Sequence, residues 1–140
     1  VTGVQTCALP IYVIGKEVEE SMTRALQQCG GAISEFTVAP QITPEGDQLP
    51  YHEWFVEFEN LPSDLIAFAQ ALDENMQQQN VYYSDLIQGK VLQPLKITQV
   101  SSGGFNAVMK SLGRFGGQNK VPRLANDRAL ADPLSALTHN

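Results

Sequence analysis

Apolar positions recur along this chain with two different periods. From Lys16 to Cys29 they fall at Val18, Met22, Ala25, Leu26 and Cys29, a three-and-four spacing that lays one apolar stripe along a helix, and Gly30-Gly31 supplies its stop. Between Ile33 and Ala39 the period drops to two. Phe36 and Val38 alternate there with Glu35 and Thr37, which predicts a strand ending at Pro40. Gln41–Pro50 then reads as a connecting loop, because Pro44, Gly46, Asp47 and Pro50 are turn formers.

The alternation is clearest in the next segment. His52, Trp54, Val56 and Phe58 share one face, while Glu53, Glu57 and Glu59 occupy most of the other, so one face is expected to be core and the other a solvated acidic edge. On that reading Trp54 is core, and His52 is a core or interface histidine rather than a catalytic base. Pro62-Ser63-Asp64 opens a helix at about Ser63. Leu65, Phe68, Ala69, Leu72 and Met76 form its stripe, and Gln77–Asn80 its polar end. Tyr82–Gln88 reads as a short helix, and Leu95–Val100, led in by Pro94, as a third strand. Ser102-Gly103-Gly104 precedes a short helix carrying Phe105, Val108, Met109 and Leu112. The order helix, strand, strand, helix, strand, helix predicts an α+β domain with a small, mostly antiparallel sheet flanked by helices. Residues 129–140 read as a tail, since Asp132–Asn140 lacks periodicity, and His139 within it earns no role.

The ends and the charge narrow the picture. Val1-Thr2-Gly3-Val4-Gln5-Thr6-Cys7-Ala8-Leu9-Pro10-Ile11 has no initiator Met and resembles the in-frame translation of a sequencing-library adapter; a signal peptide would need a basic start and a longer apolar core. Residues 1–12 are therefore set apart, the domain is expected over 13–128, and the protein is expected to begin upstream. The formal net charge of −6 argues against a nucleic-acid partner. No apolar run approaches the roughly 20 residues of a membrane-spanning helix, so no membrane partner is expected of this stretch. Cys29 is the one cysteine outside the set-apart segment, which excludes an internal disulfide or a cysteine-based zinc site, leaves no metal site expected, and fits a reducing, cytoplasmic setting. On the helix stripe it reads as a small buried thiol.

One stretch concentrates chemistry: Gly113-Arg114-Phe115-Gly116-Gly117-Gln118-Asn119-Lys120-Val121-Pro122-Arg123-Leu124. It combines flexible backbone, two side-chain amides, three cations and a rigid proline. Read plainly, it is an exposed turn with solvated cations. Read as a site, Gly116 and Gly117 let the backbone approach a ligand while Lys120 and Arg123 meet phosphate or carboxylate. It is not a Walker loop, because the spacing from Gly to Gly-Lys-Ser/Thr is absent.

Tyr51-His52-Glu53-Trp54-Phe55-Val56-Glu57-Phe58-Glu59, the helix Ser63–Asp73 and above all Gly116-Gly117-Gln118-Asn119-Lys120-Val121-Pro122-Arg123-Leu124 resemble the C-terminal domain of the auxin-responsive (Gretchen Hagen) acyl-acid amido synthetases in their bacterial form. The likeness runs from about Gly15 to Arg128. It implies a two-step ligase in which a carboxylic acid and ATP give an acyl-adenylate, and an amine or amino acid then displaces AMP. It also implies that a large N-terminal domain of the same protein binds ATP, magnesium and the acid, while a small C-terminal domain closes over the site, so that this fragment alone is expected to be inactive. The matching motif places the family's adenylation lysine at Lys120. Gly116, Gly117, Gln118, Asn119 and Arg123 fall in the same nucleotide or substrate loop, and Arg123 either joins the ligand or orients the loop against an acidic residue. The alternative from another class is a self-contained ligand-sensing or protein-interaction module, which would have no need of the Lys120 ammonium.

Overall fold

The stripe of Val18, Met22 and Ala25 is buried along the first helix, α1 (Gly15–Cys29), as its spacing demands. The structure, a computed structural model, describes residues 15–42, 48–113, 121, 123–125 and 128–136. Cys29, expected to be buried, is only half-buried at the margin of the core. The chain then reverses at Gly30 and Gly31, with φ of 81° and 101°. A Cβ on Gly31 would stand 3.1 Å from the carbonyl oxygen of Asn60 and 3.2 Å from the backbone nitrogen of Pro62, so both backbone angle and space require glycine.

Strands β1 (Ala32–Gln41) and β2 (Tyr51–Asn60) pair antiparallel. Ile33 faces Phe58 and Glu35 faces Glu57, so two steps on β1 match one on β2. This bulge shifts the phase and brings Ile33 to the same side as Phe36 and Val38. The strand does not stop at Pro40 as expected. Pro40 pairs with His52 and Gln41 with Tyr51, because proline's fixed φ suits a strand and costs one donor near its end.

Helix α2 (Leu65–Gln79) starts two residues later than expected: its cap is Asp64, whose carboxylate accepts the Ala67 N–H at 3.1 Å. Asn80 both ends α2 and caps α3 (Val81–Gln88), its side chain accepting the Tyr83 N–H at 2.9 Å. These helices carry the chain to β3 (Lys96–Gln99), which lies parallel to β2, giving the order β1-β2-β3. The domain is thus α+β, with an antiparallel main pair and one parallel partner.

The sheet separates two cores. On one face, Phe36, Val38, Trp54 and Val56 pack against α1, α2 and α3, with Phe36 and Trp54 stacked at 5.8 Å and Phe58 edge-on to Phe68 at 5.7 Å. Among the described residues the Trp54 indole N–H has no hydrogen-bond partner, which sets a cost against a large apolar gain. On the other face, Ala39, Phe55 and Val100 pack against α4 (Gly104–Ser111) and α5 (Ala131–Ser135) through Phe105, Val108, Met109, Leu130, Ala131 and Leu134.

This second core corrects two expectations. The Glu53 and Glu57 face of β2 is not a solvated edge, since Phe55 between them is fully buried. The C-terminal stretch, expected without periodic structure, forms α5, a helix of one turn and a half that is too short to show a period. Among the described residues, no helix is long and apolar enough to cross a membrane.

Candidate functional site

Gly116, Gly117, Gln118, Asn119 and Lys120 lie outside the described residues, as do the preceding Arg114 and Phe115. The structure describes what holds the two ends of that loop. On the upstream side, α4 follows Gly103 at φ 82° and meets a carboxylate reaching across from β2. Glu57 accepts the Gly103 N–H and the Phe105 N–H, each at 3.2 Å. Negative charge at unpaired amides of a helix start is stabilising, and here it also ties α4 to the sheet. The helix ends at Leu112, with Gly113 beyond it at φ 71°.

On the downstream side, Val121, directly after Lys120, packs half-buried against the second core. Leu124 then forms a parallel bridge with Val38 on β1. The Arg123 carbonyl accepts from Val38 N–H at 3.0 Å, and Ala125 N–H donates to the Val38 carbonyl at 2.8 Å. Residues 123–125 therefore extend the sheet beyond β1. The sequence reading treated this stretch as loop, because a single bridge has no period to detect.

The Arg123 guanidinium turns onto protein groups. Its Nη1 donates to the Glu35 carboxylate and, at 2.9 Å, to the Phe36 carbonyl, and its Nε lies 3.3 Å from Glu19 Oε1. Its central carbon sits 4.6 Å from the centroid of the Phe36 ring. The guanidinium is thus paired with Glu35, Glu19 and the Phe36 carbonyl.

A second arginine continues the same theme. Arg128 Nη1 donates to Glu53 Oε1 at 2.8 Å and to the Pro40 carbonyl at 3.3 Å, while its Nε donates to Asp132 Oδ1 at 3.0 Å. Glu53 also accepts the Thr98 hydroxyl at 2.6 Å. The residue expected at a wet edge is thus 9 % exposed and paired across three strands and the C-terminal segment. Sequence reasoning missed Glu19, Glu35, Glu53, Glu57 and Arg128 as partners, because their contacts join positions far apart in the chain, 88 residues for Arg123 and Glu35.

The buried polar groups of the first core form a separate set. His52 stacks on Tyr83 at 5.2 Å, and the Tyr83 hydroxyl donates to Asp73 Oδ1. Asp73 also accepts the Leu95 N–H at 3.1 Å and the Gln77 amide at 2.7 Å. Burial lowers His52 to about 4, and burial beside Asp73 pushes Tyr83 well above its ordinary value. Both are held neutral, so His52 is the core histidine that its alternation implied. Near this set, a cleft of about 650 Å³ opens between α2 and Pro94–Ile97. Among the described residues, no group of three or more His, Cys, Asp and Glu is placed to hold a metal.

The comparisons with known proteins fit this architecture. No curated protein matches the chain in sequence. A solved structure of GH3.15 acyl acid amido synthetase superposes with a TM-score of 0.70 at 17% identity, over 89% of this chain and 23% of that one. A second, of AtGH3.15 acyl acid amido synthetase in complex with 2,4-DB, gives 0.69 at 17% identity, over 89% and 24%. At that identity the likeness shows a shared fold, and the chain spans about a quarter of the length of those proteins. The family profile described as the GH3 family C-terminal domain matches residues 16–129, nearly the whole of the described fold. The resemblance carried by the Gly116–Leu124 motif is thus met at the level of the family, and the chain belongs to the GH3 family as its C-terminal domain.

Proposed function

We propose that this domain is the mobile lid of an ATP-dependent acyl-acid amido synthetase and that it delivers Lys120 to the adenylation step. The observation that supports the reading most is the family match over residues 16–129, which contains the whole Gly116–Leu124 motif. In the first half-reaction a carboxylate oxygen of the acid attacks the α-phosphorus of ATP, and the bond to pyrophosphate breaks. In the second, an amine or amino acid attacks the acyl carbon and AMP leaves with the bonding electrons.

A carboxylate approaching a phosphate that is already negative meets repulsion, and a positioned ammonium lowers it. The stabilisation grows as charge gathers on the five-coordinate phosphorus, so losing Lys120 costs on the order of 10²–10³ in rate. Closing a lid also keeps water from the acyl-adenylate, a reactive mixed anhydride. Gly116, Gly117, Gln118 and Asn119 belong to the same loop and would line the nucleotide. ATP and magnesium are assigned to the large domain of the same protein, as the family resemblance implies. The acid and the amine complete the partners, and the reaction belongs in the cytoplasm.

On this reading the sites for nucleotide and acid lie mainly in the large domain. The purified 140-residue chain, given acid, ATP and amine, is therefore expected to form no amide. Robust amide formation by it would overturn the lid assignment.

A further inference from the structure

We infer that Arg123 is a positioning residue that fixes the reach of Lys120 from α1 and β1, rather than a ligand of the nucleotide. Arg123 lies three positions after Lys120, and its guanidinium is held from four directions. Glu35 on β1 and Glu19 on α1 supply carboxylates, the Phe36 carbonyl accepts a third bond, and the Phe36 ring supports the flat cation at 4.6 Å. Its own backbone is tied at the same place, since the Arg123 carbonyl accepts from Val38 and Ala125 donates back to Val38. A planar cation with several donors suits such a site in a way that an ammonium does not. The register of the segment leaving the loop is thereby set against β1, whose other edge pairs with β2.

The consequence for chemistry follows from distance. A Lys side chain has a fixed length, so displacing its backbone by about 1 Å at an adenylation site can cost roughly a hundredfold in rate. Glu35 and Glu19 are then remote contributors to adenylation although neither touches substrate. This inference rests on the lid reading for its catalytic effect, but its structural part does not.

The test uses the whole protein. Glu35→Gln is expected to lower kcat for acid-dependent pyrophosphate exchange roughly ten- to a hundredfold while leaving KM for ATP within about threefold, and Arg123→Lys to do the same. A rise in KM for ATP at unchanged kcat in Arg123→Lys would instead identify a nucleotide ligand and overturn the inference. A second readout is independent of turnover. The rate at which an amine-acylating ester labels Lys120, followed by mass spectrometry, is expected to change severalfold in Glu35→Gln with the melting temperature kept. An unchanged labelling rate overturns the positioning role whatever Lys120 does, whereas Lys120→Ala with full exchange activity overturns the lid reading alone.

Discussion

The two faces of the sheet are covered by different means. One carries three helices, α1, α2 and α3, whose long stripes bury Val18, Met22, Phe68, Leu72 and Met76 against Phe36, Val38, Trp54 and Val56. The other carries short helices, α4 and α5, around Phe55, and these are tied down by charge: Glu57 on the start of α4, and Glu53 and Asp132 on Arg128. The apolar face has the means to hold the fold together. The charged face, with Arg123 at the sheet edge, has the means to hold a loop at a chosen place. Ion pairs are a weak source of net stability but a specific source of geometry.

That contrast breaks most readily at Phe68, which is fully buried and packed edge-on against Phe58. Phe68→Ala is expected to destabilise the domain by about 3–5 kcal/mol, read as a shift in the urea midpoint of the 140-residue chain. A loss below about 1 kcal/mol would show that the first face does not dominate.

Acid attacks the same face next. His52 falls from 6.5 to about 4 through burial, against a smaller opposing pull from Asp73, with Tyr83 stacked on it. Below 6.5 the unfolded chain binds a proton that the folded chain refuses until about 4, so this contribution is complete above pH 6.5 and is lost as pH falls through that window. The full loss amounts to about 3 kcal/mol. His52→Phe is expected to flatten the dependence of unfolding free energy on pH between those limits, and an unchanged slope would place the acid sensitivity elsewhere.

The smallest effect belongs to the charged face. Glu57→Ala is expected to cost only about 1 kcal/mol globally, the worth of a helix cap. Its local mark is faster hydrogen exchange over 104–112 with the urea midpoint little moved. A midpoint shift matching that of Phe68→Ala would erase the distinction between the faces.

The same division decides what could be read from the residues. Periods were legible where a stripe or an alternation is long, as in α1, α2 and β2, and those elements stand where the spacing put them. The shift at Ser34, the strand through Pro40 and the bridge at Leu124 each involve one or two residues, too few for any period. The second core was hidden because β2 carries glutamates on that face, and carboxylates read as solvent until their partners are known. Arg128 and Thr98, which take up Glu53, lie 75 and 45 positions away. For the candidate site the sequence supplied the motif and its family, and the fold adds the anchors on either side, Glu57 before the loop and Glu35 and Glu19 after it. Of the motif residues named for the site, Arg123 is the one among the described residues, where it pairs with Glu19 and Glu35.

The central claim, that this domain brings Lys120 to an adenylation site, is tested most directly by acid-dependent pyrophosphate exchange in the whole protein carrying Lys120→Ala. The account predicts a fall on the order of 10²–10³ in exchange rate with an unchanged melting temperature. Exchange at the unsubstituted rate would contradict it.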